Sequence, residues 1–259
     1  MEPEPANRSR APVITSAAFA GNGGTLERVL ARSLEPASLV FRIARDVGAQ
    51  IIVGSIAPGT RISSVDLAQR YDTSRAPVRQ ALLVLEREGL ITTASAGRAP
   101  SVRRLALEEL REIYEIRANL YGLVAQRCVR RASDAQIAGL RAINERLVAL
   151  AAADDLDGYF WTNLEFRDEE ARVAGNERLR QLLDALGLHT LVTRYAGLSL
   201  PKHLPASVHD HESLLRAYES RDETLAVAVG RSIVLASLAG MEQFNWSGIR
   251  SGGEEVSAS

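Results

Sequence analysis

The chain has a single cysteine in 259 residues, so no internal disulfide can form, and a reducing cytoplasm suits it. Cys128 sits among Leu123, Val124 and Val129, which reads as a buried thiol rather than a reactive one. Long apolar runs are missing too: none approaches the roughly 20 residues that cross a bilayer. The opening MEPEPANRSR mixes acids with prolines and lacks the basic-then-apolar order of a secretory signal. No membrane association is expected. Glycine-rich phosphate loops and HExxH are absent, and four scattered histidines make no acid–base set, so an enzyme is not expected. Lysine is absent from residues 37–106, yet that stretch holds ten arginines against five acids.

What is present is unevenly spread. The formal net charge is −1, but residues 37–106 carry +5, residues 1–36 balance, and residues 107–259 carry about −6. A basic module joined to an acidic one points to polyanion binding by the first. The length accommodates two domains at roughly 100–200 residues each. Residues 1–36, rich in Ala, Pro, Gly, Ser and Arg, read as a disordered tail with a short helix from Leu26 to Arg32. Residues 248–259 read as a second disordered tail.

Between the tails the periodicity changes once. Ile43, Val47, Ile51 and Ile52 mark a first helix ending near Gly54, and "APGT" (57–60) follows as a turn. A short helix covers Val65–Tyr71, "YDTS" turns the chain, and a third helix runs over Ser74–Glu88 to Gly89. "LITT" and "PSVRRL" alternate as two strands around "ASAGRA". After Leu105 only helical periodicity remains, over 107–131, 134–152, 156–174, 177–196, 207–219 and 221–245, with 197–205 as the longest loop. The predicted fold is mainly α. A winged helix-turn-helix (three helices plus a two-stranded wing) spans 37–106, and an all-α bundle of six or seven helices spans 107–247.

The stretch "DTSRAPVRQALLVLEREGLI" (72–91) carries the most information. Ser74 or Asp72 can cap the helix start, and Pro77 falls in the first turn, where its missing N–H costs little. Val78, Ala81, Leu82 and Leu85 fill one face. Arg75 and Arg79, four apart, share a stripe beside it. In a helix-turn-helix this helix lies in the major groove, amino end toward the bases. Arg75 and Arg79 would then reach phosphates or guanine edges, with Thr73 and Ser74 beside them. Gly97 and Arg98 at the wing tip would enter the minor groove. Arg42, Arg45 and Arg61 read equally well as solvated surface.

The segment "PGTRISSVDLAQRYDTSRAPVRQALLVLEREGLI" closely resembles the DNA-binding domain of GntR-family bacterial transcription regulators, whose signature includes "PG", "LA", "SR-x-PVR-x-AL" and "L-x-x-EGL". The helical remainder resembles the ligand-binding FCD domain of the FadR subfamily, through "EIR" (115–117), "AGNERL" (174–179) and "HESLLRAYESRD" (211–222). The resemblance implies a homodimer that reads an imperfect palindrome in double-stranded DNA. Many relatives hold a divalent metal with an Asp and a His four apart, a later His, and a last His about 22 residues on. Here those positions are Asn163, Arg167, His211 and Ile233, so three of four are changed, and arginine offers a metal no lone pair. No metal and no other cofactor is expected. Arg167 could instead grip a carboxylate effector directly, with Arg117, Asn163 and His211 converging and Tyr121 or Trp161 as walls. The competing reading pairs Arg167 with Glu165, Asp168 or Glu170 in a closed core. The expected function is a cytoplasmic, ligand-responsive repressor whose effector is a small organic acid; the alternative is a DNA-binding regulator that has lost its ligand response.

Overall fold

The computed structural model describes residues 24–93 and 99–243. The wing tip, the carboxy-terminal tail and residues before Gly24 lie outside that range.

Helix α1 (Gly24–Ala31) precedes the winged helix-turn-helix domain. The short helix expected over Leu26–Arg32 is therefore present, but it is not part of a loose tail. Leu26, Val29 and Leu30 recur at helical spacing and are buried. The opposite edge of α1 is held by charge. Arg28 donates to Asp168 at 2.9 Å and to Asp184 at 2.8 Å, Arg32 donates to Asp184 at 2.6 Å, and the Thr25 hydroxyl donates to Asp168 at 2.9 Å. The tail-like composition hid the docking of this helix, not the helix itself, because its partners lie about 140 residues away. Arg28→Ala leaves Asp168 and the 3% exposed Asp184 short of charge. Because Arg28 itself is 26% exposed, the expected loss is about 2 kcal/mol, below the full figure for a buried pair. A drop in the thermal midpoint, with faster proteolysis near Gly24, checks it.

The three helices of the first domain form as expected. Ser38 caps α2 (Leu39–Ile52), its hydroxyl accepting from the Phe41 amide at 3.0 Å. Ser63 caps α3 (Ser64–Arg70) in the same way through the Asp66 amide. Asp72 takes a left-handed φ of 47° in the turn, a conformation aspartate tolerates, and α4 (Arg75–Arg87) follows. Gly89, at φ 79°, ends that helix. Strand β1 (Ile91–Thr92) pairs antiparallel with β2 (Ser101–Val102), Ile91 opposite Val102. The segment expected only to turn, around "APGT", also lines the sheet: Val102 donates to Thr60 at 2.9 Å and Gly59 donates to Val102 at 2.8 Å.

The second domain has seven helices: α5 (Leu107–Arg131), α6 (Asp134–Ala152), α7 (Leu156–Val173), α8 (Glu177–Ala185), α9 (His189–Leu198), α10 (His203–Glu219) and α11 (Glu223–Gln243). Two expectations change. Residues 177–196 are two helices, because Gly187 at φ 82° turns the chain between α8 and α9. The long loop over 197–205 shrinks to four residues, since Pro205 falls in the first turn of α10 and needs no N–H partner there. Cys128 is fully buried and donates to the Glu170 carbonyl at 3.2 Å; burial pushes its thiol pKa up. By length and composition α11 could cross a membrane, contrary to the expectation that no run comes close. It packs instead along α5, α9 and α10 and carries Arg231 at mid-length.

One apolar cluster crosses the seam between the domains. Leu26 and Leu30 of α1, Ile43 and Val47 of α2 and Leu85 of α4 share it with Phe160 and Leu164 of α7 and Leu188 and Leu191 of α9. His189 lies at this seam. A β-carbon at either Gly89 or Gly187 would stand 2.7 Å from its Nδ1. Burial lowers the His189 pKa to about 4, so the ring is neutral at physiological pH.

Candidate DNA interface and effector cavity

The amino end of α4 is built to be left open. Val78, Ala81, Leu82, Val84 and Leu85 are buried and hold the helix to α2 and α3, while Arg75 and Arg79 are exposed. Among the described residues neither has an ion-pair or hydrogen-bond partner. Ser74 occupies the cap position, but its hydroxyl makes no cap hydrogen bond; Asp72 does not cap either, being committed to the left-handed turn. Thr73 is half-buried beside it. Side-chain capping by Ser74 or Asp72 is thus absent here, which leaves the first amides of α4 and the Ser74 hydroxyl available to an incoming anion. Nearby cations differ: Arg45 is tied to Asp46 at 2.9 Å, and Arg42 and Arg61 are exposed. Gly97 and Arg98 lie outside the described residues.

Helices α5, α7, α9, α10 and α11 line a cavity of about 590 Å³, within the usual range for small-molecule sites. Four of the five residues assigned to an effector from sequence line it: Arg117 and Tyr121 from α5, Asn163 and Arg167 from α7. His211 does not. It is fully buried behind the wall, its Nδ1 donating to the Ser207 carbonyl at 2.6 Å and its ring edge-on to Phe166. Burial and the nearby Arg167 lower its pKa to about 3, so it stays neutral. Trp161, offered as a wall, packs at the domain seam instead; Phe160 and Tyr114 supply the aromatic surface.

Arg167 satisfies part of each reading made for it. Its Nη1 donates to Glu170 at 2.8 Å, both groups buried, so it pairs with an acid on its own helix. The core around it is nevertheless open. Glu170 also accepts a hydrogen bond from the Tyr218 hydroxyl, and burial together with that carboxylate raises the Tyr218 pKa well above its ordinary value. Burial would lower the Arg167 pKa, but Glu170 leaves it raised. Sequence reasoning missed Arg194. It comes from α9, lines the same cavity and reaches the Asn163 carboxamide oxygen only at 3.5 Å. No sequence signal distinguished it from a surface arginine, because its direction depends on where Gly187 turns the chain.

The divalent metal held by many relatives does not fit this donor set. A guanidinium stands at one ligand position and Ile233, a hydrocarbon, at another. The remaining imidazole, His211, does not line the cavity. Among the described residues no group of three His, Cys, Asp or Glu side chains could hold a metal ion.

A winged helix-turn-helix with an open recognition helix, joined to a helical domain around a cationic cavity, defines a DNA-binding transcription regulator. Residues 39–99 match the gntR family of bacterial regulatory proteins, and residues 112–236 match the FCD domain. The chain belongs to the GntR family, with an FCD domain as its second half. It is 25% identical over 204 residues to the gluconate operon transcriptional repressor of Bacillus subtilis (strain 168), covering 76% of this chain and 82% of that one. It is 26% identical over 192 residues to the transcriptional regulator McbR of Escherichia coli (strain K12), covering 72% and 85%. The solved structure of E. coli McbR/YncC has the same fold, with a TM-score of 0.70 at 22% identity, over 81% of this chain and 99% of that one. These domains and relatives are transcription regulators, not enzymes.

Proposed function

We propose that the protein is a ligand-responsive repressor that binds an imperfect palindrome as a homodimer and is released by a small organic acid held without a metal. The observation that carries the reading is the cavity itself: a space between helices lined by Arg117, Arg167 and Arg194, which a ligand-independent DNA binder would have no reason to keep open. Thr73, Ser74, Arg75 and Arg79, with Gly97 and Arg98 on the wing, are the proposed DNA contacts. The names of relatives such as the gluconate operon repressor favour repression.

The route from ligand to DNA follows contacts already described. Phe160 lines the cavity and belongs to the apolar cluster shared with the first domain. Asp168, next to Arg167, holds Arg28 of α1. A ligand that draws α7 and α9 together would move both attachments of the DNA-binding domain. It releases DNA only if it binds the two arrangements with different affinity. For the dimer, α5 and α11 pack along one another and leave Ile116, Leu123, Leu225 and Leu235 exposed, an apolar face suited to an isologous contact.

Two measurements test this. Leu235→Glu should convert the dimer to monomer in sedimentation and weaken operator binding at least tenfold; an unchanged dimer removes that face from the account. Operator complexes challenged with small organic acids should dissociate with at least one of them. If all persist while the same acids also fail to raise the thermal midpoint, the effector-independent reading stands instead.

A further inference from the structure

The cavity holds more positive charge than its walls neutralise. Of its three arginines only Arg167 meets a carboxylate, Glu170, at 2.8 Å. Arg117 is 6% exposed and stands over the Tyr114 and Tyr121 rings at 4.7 and 5.7 Å, a weaker attraction than an ion pair in a desolvated site. Arg194 has only the distant Asn163 oxygen. Lys202 and Asp210 also line the cavity; Lys202 is exposed, and Asp210 interacts with Arg167. Among the described residues no further acid faces the space. Asp168 and Asp184 line a neighbouring pocket with both arginines but are held by Arg28 and Arg32, which leaves Arg117 and Arg194 without an ion-pair partner among the described residues.

We propose that the cavity selects small dianions over monoanions of equal size, with Arg117 and Arg194 each taking one negative charge. The proposal rests on the effector reading above and narrows it. An uncompensated guanidinium in a desolvated site is costly, and a monoanion leaves one in place. The Arg194 guanidinium is already pulled to about 10, by burial first and by Arg117 and Arg167 as like charges; a second negative charge on the ligand removes that burden. The organic body between the charges would lie against Tyr114, Tyr121 and Phe160, with Ser237 available to a hydroxyl. A dicarboxylate and a phosphate monoester share this chemistry.

The test uses the full chain in two arms. Without ligand, Arg194→Met keeps the volume and removes a stranded charge, so the thermal midpoint should rise by a few degrees, whereas Arg167→Met breaks an ion pair and should lower it. A fall for Arg194→Met as large as that for Arg167→Met overturns the proposal. With ligand, calorimetry compares glutarate with its monoamide glutaramate, and glucose 6-phosphate with glucuronate. The dianion of at least one pair should bind at least tenfold more tightly than its monoanionic partner, and Arg194→Met should erase the difference; which pair responds identifies the source. Equal affinity within both pairs, or no binding by any of the four, overturns the dianion assignment. Release of operator DNA by a monoanion would leave the effector reading standing without it.

Discussion

Arg75→Ala and Arg79→Ala should each weaken operator binding by roughly 10- to 100-fold, the range for losing one good base-edge contact at ~1–3 kcal/mol, and together they should reduce binding to the non-specific level. Neither change should disturb the fold. Both side chains are exposed and unpartnered among the described residues, so no contact is lost with them. Their placement is locally unfavourable: two cations four residues apart, in the first two turns of α4, oppose the helix dipole and one another by a few tenths of a kcal/mol. Alanine is also the better helix former. The thermal midpoint should therefore hold steady or rise slightly while DNA affinity collapses. That pairing separates a binding role from a structural one. A salt titration divides the binding role further: loss of a phosphate contact reduces the slope of log affinity against log salt by about one, while loss of a base contact leaves the slope and relaxes sequence preference. Mobility shifts in which both variants match the wild type would remove α4 from the interface.

How much of this was readable in advance depended on whether the determinants are local. The helix-turn-helix was legible because its signals are neighbours in sequence: Gly89 as a stop and the burial stripe of Val78, Leu82 and Leu85. Four of the five residues assigned to an effector line the cavity; Asn163 and Arg167 are reached through the family's ligand positions, not through periodicity. The failures share a different cause. His211 has the spacing of a lining residue, but its ring turns to the Ser207 carbonyl one helical turn back. Arg194 was invisible because α9 could not be separated from α8 without knowing that Gly187 adopts a positive φ. α1 carries its own signal, Leu26, Val29 and Leu30, but its anchors Asp168 and Asp184 come from α7 and α8. Sequence spacing does not reveal a contact across 140 residues.

Glu170→Ala should produce the largest loss of stability of any change considered. The side chain is 1% exposed, and its carboxylate accepts from Arg167 at 2.8 Å and from the Tyr218 hydroxyl. Removing it leaves a phenol without its acceptor and a buried guanidinium without its counter-ion. Arg167 would then join Arg117 and Arg194 as a third unmatched cation around one cavity. Breaking one side of a buried pair costs about 3–5 kcal/mol. At roughly 2–4 °C per kcal/mol for a chain approaching this size, the thermal midpoint should fall by about 6–20 °C. The double variant Arg167→Met with Glu170→Leu decides what the loss means. If it arises from the stranded charge, the double variant should recover most of the lost stability, since an apolar pair of similar volume often matches a buried ion pair. If the double variant is no more stable than Glu170→Ala, the loss comes from the missing Tyr218 acceptor and the packing defect. A Glu170→Ala protein within about 1 kcal/mol of wild type, the range of an exposed pair, would mean that water reaches Arg167 freely, and the electrostatic account of the cavity would fail with it.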